Sequence, residues 1–399
     1  MNGAATSRFD AFVDGCRVGE ADFRLFEDAE PTAYARCFGV FALWLTRRRP
    51  VLLQSRDAFV EALVGAVVAR RGEDNAPPSD KGYRQLLTLT LSALAILGAA
   101  NDRRIAALVA EQVPTNLAAE LEQLGCLAGK PQSGNQAMFL AIFMLYAEQF
   151  LGADNKSDLA QWWQLHEQNM NRFGFWGPDT GPTHLHFQNG YHQYEIMEYL
   201  DVANPRQSEA RSAVRAVADY QGHYAPYPGG GGCFDYDAVF ILTADGRVPD
   251  AATGALLRGT EATIRSEQQV NGGFCESLHV RPRLTNLHRF AGRLASARNW
   301  ALFNERLRAG ISVCRPKNDR VITHWSRTHR GWGQANLWDS YFRMLLLARI
   351  ECAFDPMLTT QWGFIDFPGI GWHPSLRKTA GQLATNIAAP AAAGSGAHL

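Results

Sequence analysis

The 399-residue sequence predicts an all-α fold: a single (α/α) toroid, or α/α barrel, of paired inner and outer helices. Three observations point there. Apolar and amphipathic segments alternate along the chain, each with the 3.6-residue spacing of a helix. No stretch sustains the two-residue alternation of β-branched and polar residues that marks a strand. Gly-aromatic turns recur at Gly174-Phe175-Trp176-Gly177, Gly272-Gly273-Phe274 and Gly331-Trp332-Gly333. Glycine lets the backbone turn sharply, and an aromatic ring can plug the gap between helix ends.

Taken in order, residues 1–30 are polar, lack an apolar helical period and read as an N-terminal segment. Helices are then expected at 37–48, 57–71, 83–99, 103–112, 116–127, 135–150, 157–172, 188–200, 207–220, 236–243, 255–269, 284–295, 297–311 and 334–352. The segments 86–97, 138–145 and 344–350 are apolar all round, as an inner helix covered on both sides must be. Their partners at 57–71 and 103–112 are rich in Arg and Glu and keep a wet face. No internal linker interrupts 31–376, which reads as one toroid domain, and the Ala/Gly/Ser-rich residues 377–399 read as a disordered tail. No strict repeat period supports a solenoid instead.

Composition narrows the class of function. Hydrophobic residues make up 46% of the chain, enough for a large core, and the formal net charge is zero. Without a basic stripe, nucleic acid is not expected as a partner. The long uncharged run 85–100 is too short for an integral membrane span and contains Thr88, Thr90 and Ser92. The N-terminus has no apolar signal region, and seven cysteines are scattered singly with no C-x-x-C, so a reducing cytoplasmic location is expected.

The chemistry concentrates in residues 229–278. A Gly229-Gly230-Gly231-Gly232-Cys233-Phe234 run leads into Asp235-Tyr236-Asp237 and the apolar segment from Ala238 to Leu242. Some thirty residues later comes Gln268-Gln269-Val270-Asn271-Gly272-Gly273-Phe274. Two carboxylates on alternate residues can share a proton, which raises the pKa of one and makes it a general acid. The same residues also fit a tight turn with Asp235 capping a helix and Asp237 in its first turn.

This pairing resembles the class II terpene cyclases of the squalene–hopene cyclase type, within the terpenoid cyclase and prenyltransferase toroids. In that family an acidic Asp-x-Asp-Asp step precedes one helix, and a Gln-rich, Gly-x-aromatic turn closes the next. The resemblance implies Asp237 as proton donor, Asp235 as its partner, and an apolar isoprenoid-type substrate in a central cavity. It implies no cofactor. The chain departs from the pattern at two places: Ala238 stands where the family has a third acid, and Phe274 where the turn has tryptophan. The zinc-dependent prenyltransferase branch fits less well, because its Asp-x-Cys order is reversed here as Cys233-Phe234-Asp235.

Other residues extend the candidate list. His192 and Asp339 are candidate catalytic groups, and Trp176, Tyr191, Phe274, Trp332, Trp338 and Arg281 candidate substrate contacts. Aromatic faces stabilise cations, as a carbocation cascade requires. His184, His186 and His192 lie close in sequence, but their spacing matches no specific zinc motif and no metal is expected; His184 and His186 read as loop residues. His192 and Glu195, three apart, should share a helix face, and Asp339 and Arg343, four apart, should pair. His279, Arg281 and Arg283 could anchor a phosphate or carboxylate. Two rival functions remain: a carbohydrate-active toroid enzyme, lyase or hydrolase, using Asn189, Tyr191 and His192, and a non-catalytic helical scaffold with Asp235 and Asp237 exposed.

Overall fold

The computed structural model describes residues 3–73, 80–280, 287–323 and 328–376. Sixteen α-helices occur among them. The first seven are α1 (Gly3–Cys16), α2 (Ala33–Leu45), α3 (Arg49–Gln54), α4 (Arg56–Glu73), α5 (Lys81–Ile96), α6 (Arg103–Ala110) and α7 (Leu117–Leu124). Then come α8 (Gly134–Leu151), α9 (Lys156–Gln168), α10 (His184–Tyr199), α11 (Gln207–Val217) and α12 (Gly232–Thr243). The last are α13 (Ala251–Ser266), α14 (Leu287–Ala295), α15 (Trp300–Cys314) and α16 (Leu337–Phe354). The chain is mostly helical, as its periodicity predicts. Two departures are small antiparallel hairpins, Arg17–Val18 with Asp22–Phe23 and Arg320–Thr323 with Thr328–Gly331.

Six helices, α2, α5, α8, α10, α12 and α16, bury most of their residues. Their order of contact is α2, α5, α8, α10, α12, α16 and back to α2, so the succession of neighbours closes on itself. The amphipathic helices lie outside them: α4 on α2 and α5, α6 on α8, α11 on α12 and α13 on α16. Caps set where these helices start. Side chains of Thr32, Asp80, Thr183 and Asn336 accept hydrogen bonds from the first-turn amides of α2, α5, α10 and α16. No helix among the described residues is long and apolar enough to cross a membrane.

Two glycines permit contacts that any side chain would block. Gly134 opens α8 against α10, and a Cβ there would lie 2.0 Å from the Asn189 carbonyl oxygen. Gly272 has φ +88°, and a Cβ there would lie 1.9 Å from the Arg8 carbonyl oxygen. The second contact seats α1, a helix absent from the sequence expectation. It buries Phe9, Phe12, Val13 and Cys16 in the core, and the Gln268 side chain adds polar anchors. Gln268 donates to the Ala5 and Gly272 carbonyls, both at 2.9 Å, and accepts from Arg8 at 2.7 Å. The Gln-Gly-Gly-Phe turn therefore clamps the N-terminal helix to the body.

Candidate active site

Helix α12 starts at Gly232, four residues before the expected start, so Asp235 and Asp237 both lie within it. At about 100° per residue their side chains diverge by roughly 160°. They therefore do not form the proton-sharing pair that alternate residues would make on extended backbone.

Asp235 faces a buried ion network. Its Oδ2 accepts from Arg343 Nη1 at 2.5 Å and meets His223 Nδ1 at 3.1 Å, while Oδ1 accepts the Tyr224 amide at 2.7 Å. Burial opposes ionisation, but the Arg343 charge and then His223 outweigh it and hold the carboxyl below its usual range. His223 Nε2 also meets Glu267 Oε1 at 3.0 Å. Burial disfavours the imidazolium, yet Glu267 and Asp235 push its pKa up to about 10. Two anions and two cations thus neutralise one another in the interior.

Asp237 points the other way, into a cavity of about 140 Å³ whose wall includes Tyr191, His192, Cys233, Trp338, Phe342 and Ile370. Asp237 is 3% exposed, and among the described residues none donates a hydrogen bond to its carboxyl. Burial first, then the neighbouring Glu195 and Asp235 carboxyls, push its pKa well above the usual range. Glu195 is fully buried on α10 and accepts a 2.5 Å hydrogen bond from the Tyr191 hydroxyl. Burial raises it to about 8, against the opposing Tyr191 bond and Arg349 charge. The cavity thus carries an acid biased toward its protonated form beside aromatic faces.

His192 also lines the cavity, with its Nδ1 lacking a partner among the described residues. Burial, and then the Lys81 charge, lower its pKa to about 3, so it is a neutral imidazole. His192 does not pair with Glu195; Tyr191 takes that carboxylate instead. Asn189 lines the cavity too, but its amide is engaged: Oδ1 accepts from the Gln132 amide and Nδ2 donates to the Lys130 carbonyl, each at 3.0 Å.

Four expected residues lie elsewhere. Asp339 is buried against Arg330 Nη2 at 3.3 Å and accepts from Asn336 Nδ2 at 2.6 Å. Arg343 faces Asp235 and Glu267, so the expected Asp339–Arg343 pair does not form; Arg330, from the second hairpin, reaches Asp339 first. Trp176 packs between His166 and Tyr194 and donates to the His166 carbonyl at 2.8 Å. Phe274 is fixed by reciprocal hydrogen bonds between its backbone and Ser340 Oγ. Trp332 stacks edge-on with Tyr227 and donates to the Asn318 carbonyl at 2.9 Å. These rings are structural plugs at helix ends, which is the role the Gly-aromatic turns themselves predict. Arg281 and Arg283 lie outside the described residues, as does the tail 377–399.

His184 and His186 are not in a loop but in the first turn of α10, both buried. His184 Nδ1 meets the Tyr224 carbonyl and its Nε2 accepts from Arg306 at 3.3 Å. No group of three or more metal-ligating side chains occurs among the described residues. Sequence reasoning missed Gln85 and Asn135, whose signal was a polar residue inside an otherwise apolar inner helix. It also missed His223, which meets Asp235 only through the fold, and Glu267, which meets His223 in turn; neither carries a motif.

No protein-family model matches the chain. No curated protein matches it by sequence. Solved structures do match. A single-residue variant of the type II terpene cyclase MstE from Scytonema, in ligand-free form, aligns with a TM-score of 0.50 at 15% identity, covering 89% of this chain and 97% of that one. Ligand-free MstE itself aligns at 0.48 and 13% identity, over 89% and 98%. A protein from Actinoplanes aligns at 0.47 and 13%, over 88% and 99%. MstE has also been solved with geranylgeranyl dihydroxybenzoate as its substrate. The chain therefore has a type II terpene cyclase-like fold.

Proposed function

We propose that this chain is a terpene cyclase-like enzyme that starts cyclisation or isomerisation of an apolar isoprenoid-type substrate by protonating it from Asp237. On this reading the closed succession of six inner helices is the inner wall of an (α/α) toroid, and the Asp237 cavity is its centre. The observation that carries the reading is Asp237 itself, a buried carboxyl in a cavity wall, without a hydrogen-bond donor among the described residues and pushed toward its acid form.

The chemistry balances without a cofactor. The Asp237 O–H bond breaks as the alkene π pair takes the proton and forms a C–H bond. A cation is left on the adjacent carbon. A second alkene of the substrate can supply electrons for a new C–C bond, which moves the cation along the chain. On either route the last cation loses a proton to water, giving a neutral cyclic or isomeric alkene, and the Asp237 carboxylate takes a proton back from water. Trp338, Phe342 and Tyr191 present aromatic faces to the cation. Asp235 acts from behind the helix: kept ionised by Arg343 and His223, its negative charge helps hold the proton on Asp237. It is thus an electrostatic partner and not a co-acid.

A scaffold would leave Asp235 and Asp237 exposed, yet both are buried. A carbohydrate lyase would need free Asn189 and Tyr191 groups, yet both are bonded within the protein. The cysteines are all unpaired, which supports a cytoplasmic setting. Incubating the purified protein with polyprenyl substrates and resolving products by mass and retention tests the proposal. Cyclised or isomerised product formed by the wild type and absent with Asp237→Asn supports it; equal product from both removes it.

A further inference from the structure

Outside the Asp237 cavity, α5, α7 and α8 frame a larger polar basin of about 740 Å³. The chain has only five lysines, Lys81, Lys130, Lys156, Lys317 and Lys378, and two of them line this basin. Lys81 and Gln132 border both the basin and the Asp237 cavity, and Lys81 Nζ donates to the Gln132 carbonyl at 3.1 Å between them. The basin is thus an outer chamber adjoining the cavity. Arg84 also lines it while only 4% exposed. Its Nη2 meets Glu120 Oε1 at 2.7 Å and its Nε donates to Gln112 at 3.0 Å, but its Nη1 has no partner among the described residues. Glu120 is the one acid in the lining, so three cations face one anion.

We infer that this basin seats an anionic head group of the substrate, a phosphate or a carboxylate, while the apolar tail passes Lys81 toward Asp237. The place of the tail rests on the function proposed above; the head-group site rests on Lys81 and Lys130 in the basin wall, with the Arg84 charge buried behind them. Lys81 is partly buried, which lowers its pKa to about 8, and an anion beside it supplies the countercharge that this position lacks. The arrangement also keeps the anion in the outer chamber, away from the apolar wall where a cation forms.

Isothermal titration calorimetry of the full chain with inorganic pyrophosphate and, separately, benzoate tests the site. At least one anion should bind, and Lys81→Gln and Lys130→Gln should each weaken it about tenfold, the effect of losing one charge-assisted contact. Tighter pyrophosphate binding assigns a phosphate head and tighter benzoate binding a carboxylate. Asp237→Asn should leave anion binding unchanged. Failure of both anions to bind the wild type overturns the inference, as does equal binding by a folded Lys81→Gln/Lys130→Gln double variant. Lys130 is exposed, so Lys130→Gln keeps the test open should Lys81→Gln fail to fold. Anion binding reads this site and turnover by Asp237→Asn reads the acid, so either idea can fail alone.

Discussion

Two aspartates two positions apart have opposite fates, and the difference is testable. Asp237→Asn replaces an acid already biased to be neutral with an amide of the same shape. Its melting temperature should stay near wild type while turnover falls at least about 100-fold, the lower range for losing a general acid. An active variant would end the proton-donor role. Asp235→Asn should behave in reverse order. It strips Arg343 and His223 of their shared anion in the interior, and urea unfolding should show a loss of about 3–5 kcal/mol, the usual cost of breaking a buried ion pair. A loss under about 1 kcal/mol would mean the network carries little. Glu195 gives a pH signature. Its pKa is about 8 in the fold against 4.5 for the ordinary carboxyl. Between those values the folded chain keeps a proton that the unfolded chain has released. The stabilisation is complete below about pH 4.5 and is lost as pH rises through about 8, at about 1.4 kcal/mol per pH unit. Urea unfolding at several pH values should show Glu195→Gln with a flatter profile over that window; parallel curves for the two proteins would refute the shift.

At the scale of elements, the site depends on how closely α8 approaches α10. Gly134 touches the Asn189 carbonyl, and Asn189 in turn ties α10 to the Gly129–Gln132 loop. Gly134→Ala must push these helices apart at a cost of about 1–3 kcal/mol, typical of overpacking. It should also lower turnover, because Asn189, Tyr191 and His192 line the cavity from α10. Gly65→Ala on α4 is the matched control: a Cβ there meets nothing within 4 Å, so alanine should stabilise by about 0.5–1 kcal/mol. Equal effects of the two changes on unfolding and turnover would refute the close-approach argument. The inner helices α5, α8 and α16 were legible because their segments 86–97, 138–145 and 344–350 are apolar all round, which leaves few alternatives to full burial, whereas α10, rich in His, Gln and Asn, gave no such signal. Helix α1 was not, because its apolar stripe, Phe9, Phe12, Val13 and Cys16, is short and set among polar residues, and its polar anchor, Gln268, lies more than 250 residues away. The Asp-x-Asp step was legible as a place but not as a geometry. Only the start of α12 at Gly232 separates the two carboxyls, and no periodicity marks that start. Trp176, Phe274 and Trp332 were misplaced for a related reason: aromatic residues serve turns and cavities alike, and sequence does not say which.

At the scale of the whole molecule, five helices, α5, α8, α10, α12 and α16, contribute residues to the cavity wall, so occupying it should stabilise the entire chain. A ligand binding only the folded state adds RT ln(1 + [L]/Kd), about 2.7 kcal/mol at a hundred times Kd. This separates the functional readings without turnover. An isoprenoid chain bearing a tertiary ammonium mimics the cation that follows protonation. It should be held by the aromatic faces of Trp338, Phe342 and Tyr191 and by ionised Asp237, whose acid form the ammonium would discharge. Thermal unfolding should rise with this ligand and rise less in Asp237→Asn. It should not rise with uronic-acid oligosaccharides, because Asn189 and Tyr191 are already committed to the Lys130 carbonyl and Glu195. The reverse ranking, stabilisation by the oligosaccharide and none by the amine, would transfer the site to carbohydrate chemistry despite the shared fold, since a fold shared at 15% identity leaves the reaction to the residues that line the site.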